Sequence, residues 1–230
     1  MADLSEAFPT ALRESAWSVV GALAPALADT VYEPKEERQI IRVCGDDIWL
    51  PGRLHDKIYR DHCYYDIGPF QKFEALIDNG VFMPRQEHIF FCLLTRHHNG
   101  FVREAALKRI IAVDEPWVVP FVVQLASEYV YEILAVIRQN LDRLNPSLYG
   151  VFFRDNPAYF NKVQQRIISY WNAYYRWHDY TGPNGLSHHN WRESYVGHEI
   201  ANRFKEMASL TPVDLGISYH QPQRTSNGCA

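Results

Sequence analysis

Asn99-Gly100-Phe101-Val102-Arg103-Glu104-Ala105-Ala106-Leu107-Lys108-Arg109-Ile110 is followed by a looser copy, Glu128-Tyr129-Val130-Tyr131-Glu132-Ile133-Leu134-Ala135-Val136-Ile137. At an offset of 28 residues Val102 aligns with Val130, Glu104 with Glu132 and Ala106 with Leu134. The register ends at Ile110, which falls opposite Arg138. A repeat of that length holds one short helix pair. One pair cannot bury its own apolar face, so the pattern predicts helix pairs leaning on one another.

Working outward, Pro84 opens a helix over 84–97 whose stripe contains Ile89, Phe90, Leu93 and Leu94. His97-His98-Asn99-Gly100 reads as a tight turn. A partner helix follows over 101–113, with Val102, Ala105, Ala106, Ile110 and Val113 facing inward. The next pair covers 116–126 and 128–144. Pro120 lies inside the first apolar pattern and predicts a kink or a short break there, while Asn145-Pro146 stops the second helix. Asn156-Pro157 opens a longer helix over 157–179, Thr181-Gly182-Pro183-Asn184-Gly185 breaks it, and a last helix covers 190–209.

Upstream, residues 10–28 carry a helical stripe of Leu12, Ala16, Val19, Val20 and Leu23. Residues 38–50 read as a hairpin: Ile40-Ile41-Arg42-Val43 and Ile48-Trp49-Leu50 flank a turn-like Cys44-Gly45-Asp46-Asp47. An isolated hairpin is marginal, so Trp49 should lay it on the helices. Residues 52–68 are loop-like, and a short helix over 70–79 closes at Asn79-Gly80. The fold class expected is all-α, a stack of antiparallel helix pairs with a small N-terminal β-hairpin. One helical domain would span 1–210, with 1–80 as its N-terminal cap and 211–230 as a mobile tail rich in Pro, Ser, Gln and Asn.

The stretch Asn99 to Leu107 resembles HEAT-like repeats, the α-solenoid class whose second helix carries Val-Arg, then small residues, then Leu, after a polar turn residue. Asn99 stands at the turn, where the family often has Asp. Arg103 follows Val102, and Ala105 and Ala106 permit close helix approach. The second copy has Tyr131 at the Arg position, so a regular Arg–Asp ladder is not expected. The resemblance covers 84–144 well, 157–209 by analogy, and none of the first 80 residues. It implies a superhelix with a concave face and, most often in the family, an interaction scaffold. Some HEAT-like proteins are DNA glycosylases or bilin lyases, so it also implies an enzyme alternative.

Composition restricts the function further. The net charge is −4, and 18 acids face 13 Lys and Arg over residues 1–115, against 9 and 10 over 116–230. Neither half offers a basic footprint for nucleic acid. No run of about 18 apolar residues marks a membrane span. The first residues lack the basic and apolar regions of a secretory signal, so a cytoplasmic location is expected. Cys44, Cys63, Cys92 and Cys229 form no C-x-x-C pair, and Cys92 reads as a small core residue.

Candidate chemistry is sparse. His97 and His98 read as turn residues. His188, His189 and His198 match no zincin spacing, and Asp46, Asp47, Asp56, Asp61 and Asp66 read as turn and loop acids. No G-x-S-x-G, P-loop or Rossmann fingerprint is present, and no catalytic residue, metal or cofactor is expected. The most unusual local feature is aromatic: eleven Phe, Tyr and Trp residues fall between 149 and 180. Phe160, Val163, Ile167, Trp171 and Tyr174 form one helical face, expected to point inward. Tyr159, Arg166, Tyr170 and Trp177 form another. Tyr, Trp and Arg are favoured interface anchors. Arg103, Tyr131, Tyr159, Arg166, Tyr170 and Trp177 are therefore the binding residues expected. The function expected is protein–protein interaction, as an adaptor or an immunity-type inhibitor, with another protein as partner.

Overall fold

A computed structural model of the chain describes residues 3–27, 38–55, 73–74, 76–78, 80–175 and 195–210. Turns of 3-10 helix at Leu4–Ala7 and Thr10–Leu12 lead into α1 (Arg13–Leu23). Strands β1 (Gln39–Val43) and β2 (Asp46–Leu50) pair antiparallel with Ile41 opposite Ile48. The turn is shorter than the sequence pattern suggests, because Asp46 and Asp47 belong to β2. Cys44 and Gly45 both have positive φ, 54° and 85°, and this two-residue geometry matches the twist of the flanking strands. Trp49 is buried in the common core with the Arg38 guanidinium 4.3 Å from its ring centre, and β2 packs on the 3-10 turn at Leu4–Ala7.

Phe73, Glu74 and Leu76–Asp78 are helical, and Gly80 ends that turn with φ 65°. Four helices follow, α2 (Pro84–Leu94), α3 (Gly100–Ile110), α4 (Val119–Ala126) and α5 (Tyr131–Gln139). Met83 N–H donates to Gln86 Oε1 at 3.0 Å across the start of α2, and Asn99 Oδ1 accepts from Phe101 N–H at 2.9 Å to cap α3. Pro120 does not kink a longer helix. It occupies the first turn of α4, where the missing N–H has no partner to lose.

Asn145-Pro146 both stops and starts. After a 3-10 turn at Leu141–Arg143, Asn145 Oδ1 accepts from Ser147 N–H (3.1 Å) and Leu148 N–H (3.4 Å), and Pro146 opens α6 (Pro146–Asp155). That helix has no counterpart in the sequence expectation. Then come α7 (Pro157–Tyr170), a π turn at Trp171–Tyr175 and α8 (Val196–Ser209).

The helices share one contiguous apolar core from Leu4 to Met207. α1 packs on α2, α2 on α3, and α3 on α5. α4 meets α5, α6 and α7, while α8 covers α5, α6 and α7. α4 is apolar nearly all round, as a helix with neighbours on several sides must be: Val119, Phe121, Val122, Val123, Leu125 and Ala126 are all buried. Phe121 stacks on Phe8 at 5.3 Å, tying α4 to the N-terminal turns. Gly150 allows α6 to approach α8 closely, since a Cβ there would lie 2.6 Å from the Met207 carbonyl oxygen. Among the described residues no helix is long and apolar enough to cross a membrane.

A buried asparagine hydrogen-bonds the hairpin to the helices. Buried Asn156, between α6 and α7, accepts from Arg42 N–H at 2.7 Å and donates to Arg42 O at 2.8 Å and Phe152 O at 2.9 Å. Asn156→Ala is expected to cost about 1–3 kcal/mol, because the buried partners are stranded. Asn156→Asp should cost more, since a carboxylate would face two carbonyls. Urea unfolding of the two variants tests this order; equal stability to wild type would remove Asn156 as the link.

Candidate functional site

The short connection between α4 and α5, Ser127 to Val130, sends successive side chains in opposite directions. Glu128 goes in and is 6 % exposed, whereas Tyr129 goes out and is 49 % exposed. Around Glu128 gather three arginines from separate parts of the chain. Arg53 follows the hairpin, Arg96 follows α2, and Arg103 lies on the second turn of α3.

Arg103 Nε donates to Glu128 Oε2 at 2.9 Å, and its Nη1 donates to the carbonyls of His97 (2.9 Å) and His98 (2.7 Å). One guanidinium thus clamps the α2–α3 turn to the α4–α5 turn. Arg53 Nη2 lies 2.7 Å from Glu128 Oε1. Arg96 donates through Nε to Pro51 O at 2.9 Å. Its Nη1 is 3.7 Å from Glu128 Oε1, an ion pair without a hydrogen bond. A short parallel bridge holds the loop in place: Leu54 N–H donates to Arg96 O (2.8 Å), and His98 N–H to Leu54 O (2.7 Å). His55 stacks on His98 at 5.0 Å, and His97, fully buried, packs edge-on against Phe73.

Burial dominates the electrostatics. Desolvation, reinforced by the neighbouring Arg53 charge, draws the Arg96 guanidinium from 12.5 down to about 10 against the opposing pull of Glu128. Arg103 is drawn down for the same first reason, again with Glu128 pulling the other way. A buried cation persists only with a compensating partner, and here one carboxylate serves three guanidiniums.

On the outer side, Tyr129, Tyr170 and Tyr174 form a ring cluster. Tyr129 stacks on Tyr174 at 5.1 Å and meets Tyr170 at 5.7 Å, while Tyr170 and Tyr174 are 6.0 Å apart. Tyr175 Oη donates to Tyr129 O, fixing the π turn to the α4–α5 connection. Tyr174 is 50 % exposed rather than inward-facing, because the helix changes register at Trp171 and the 3.6-residue spacing no longer applies.

The residues expected to bind divide. Arg103 is not a surface contact; it is 3 % exposed, and Glu128 draws it in. Tyr159 is also buried, since it lies four residues before Val163 and shares the core face of α7. Tyr131 is half-buried at the start of α5, Arg166 is exposed, and Tyr170 joins the ring cluster. Trp177, His188 and His189 lie outside the described residues. Among the described residues the aromatic belt therefore splits: Tyr149, Phe152, Phe153 and Phe160 pack in the core with Phe204, and Tyr174 reaches the surface. Arg53, Arg96 and Glu128 were not marked by sequence. The available signal was an acid and an arginine immediately after two strongly apolar helices. Among the described residues no three His, Cys, Asp or Glu side chains converge as a metal site would require.

Comparison of the chain with known protein families, curated proteins and solved structures finds no match to any of them. The site is thus defined by its own geometry alone.

Two outcomes follow from that geometry. Glu128→Ala should lower unfolding stability by about 3–5 kcal/mol, because it leaves buried cations uncompensated. Arg53→Ala, at a site 34 % exposed, should cost much less. Chemical denaturation of both tests the ranking, and a Glu128→Ala cost no larger than that of Arg53→Ala would contradict it.

The second concerns alkaline pH. Burial raises the phenols of Tyr149, Tyr159 and Tyr195 well above 10, and that of Tyr175 to about 12. The unfolded chain ionises first, so the stability these groups carry is full below pH 10 and falls as pH rises past it. Tyrosinate absorbance should show these groups titrating together with loss of ellipticity. A complete titration near pH 10 with the fold intact would contradict their burial.

Proposed function

We propose that this chain is a protein-binding module of the adaptor or immunity-inhibitor kind, acting through the Tyr129–Tyr170–Tyr174 surface. The carrying observation is that three tyrosines lie ring to ring and two are half exposed, on elements tied together beneath them. Tyrosine supplies large contact area at low cost in side-chain entropy, which is why it is enriched at binding hot spots. Arg166, exposed on α7, lies four residues before Tyr170 and so extends the same face with a cation. A platform of this kind is preorganised: Tyr129 is held by its neighbour Glu128 in the ion cluster and by the Tyr175 hydroxyl on its own carbonyl.

The same reading takes α2–α3 and α4–α5 as two HEAT-like units. Contact between α3 and α5, the second helices of those units, supports it, as does burial of the aligned residues Ala106 and Leu134. In such a stack the second helices would line one face, with the tyrosine surface at the end of the α4–α5 unit.

The test is a Tyr129→Ser/Tyr174→Ser double variant immobilised beside wild type and exposed to native lysate. The variant should keep the wild-type circular dichroism and lose the proteins that wild type retains. Equal retention by both, or none by wild type, would contradict the reading.

A further inference from the structure

We propose that Arg53, Arg96 and Tyr159 form, over the Arg103–Glu128 pair, a binding site for a small dianionic oxyanion of the phosphate class, entered past Arg53. Charge is the first ground. Three guanidiniums share one carboxylate, and among the described residues no other acid pairs with any of them. Among the described residues the cluster therefore holds two positive charges in excess, where unpaired cations are costly. A bound dianion neutralises that excess.

Unused donors are the second ground. Arg96 Nη1, Arg53 Nη1 and Tyr159 Oη are all buried and make no hydrogen bond. Such atoms are rare without a partner, and all three can donate to an acceptor oxygen. Tyr159, 4 % exposed, lies near enough to Arg96 for each to act on the other's ionisation, and burial keeps its phenol protonated and able to donate. Guanidinium forks suit tetrahedral oxyanions, because two N–H groups meet two oxygens.

Access sets the size of the ligand. The Arg96 and Arg103 side chains are almost fully enclosed, and Arg53 is the partly exposed member. The occupant is therefore a free ion or the terminal phosphate of a small ester. Arg103 is committed to Glu128 and to two backbone carbonyls, so it positions Glu128 rather than meeting the ligand.

Calorimetric titration of the whole chain with inorganic phosphate, in chloride buffer of matched ionic strength, tests the site. Wild type should bind one phosphate saturably. Arg53→Gln and Tyr159→Phe should each weaken binding about tenfold or more, as loss of a charge-assisted hydrogen bond requires. Tyr159→Phe is the decisive variant. It removes only an unpartnered hydroxyl, so its melting temperature without phosphate should not fall, and a merely structural tyrosine would leave affinity unchanged. Phenyl phosphate in a parallel titration separates the two sources: binding of both ligands points to an ester terminus, and of inorganic phosphate alone to a free ion. Absence of saturable binding of either, or equal affinity in wild type and Tyr159→Phe, would overturn the site. Neither result depends on the tyrosine surface, so this site and the protein-binding reading stand or fall separately.

Discussion

Glu128 is the constraint on which the middle of the molecule depends. Its carboxylate is the partner of arginines that arrive from the hairpin side, from the end of α2 and from α3. Removing any one arginine lowers the surplus of charge, but removing Glu128 takes away the one carboxylate that pairs with all three among the described residues. The buried pair is not justified by net stability, since apolar residues of similar volume often do as well. What the pair does is fix relative position. Arg103 donates to the carbonyls of His97 and His98 while it holds Glu128, so the α2–α3 and α4–α5 turns are tied to each other.

That lock has a consequence at the surface. Tyr129 is the next residue after Glu128, and a peptide unit whose one side chain is anchored in the interior cannot swing the following one freely. The outer tyrosine cluster therefore inherits its rigidity from an ion cluster it does not touch through side-chain hydrogen bonds. Inside, buried guanidinium nitrogens of Arg53 and Arg96 are left without a hydrogen-bond partner, and outside, stacked tyrosine rings are half exposed. Both properties come from one four-residue connection between two apolar helices.

The local architecture was largely legible in the sequence, because it rests on periodicity and punctuation. Pro84, Asn99 and Pro157 all mark helix starts, and the alternation around Cys44-Gly45 marks the hairpin. The sequence misleads where one signal has two meanings. Asn145-Pro146 ends one helix and begins the next, and Pro120 lies in a first turn rather than an interior. The site was much less legible. An arginine at the Val-Arg position looks like a surface residue until a carboxylate 25 residues later draws it in, and that pairing is tertiary. Helical spacing puts Tyr174 on the inward face, but a π turn breaks that spacing, which no local pattern near Trp171 announces.

A double-mutant cycle on Arg103 and Glu128, read by urea unfolding of Arg103→Ala, Glu128→Ala and the double variant, measures the lock itself. If these two side chains hold the turns together, their coupling should be about 2–3 kcal/mol, the upper part of the range for contacting residues. Additive effects, with coupling within about 0.5 kcal/mol of zero, would mean that the two turns are held by apolar packing alone.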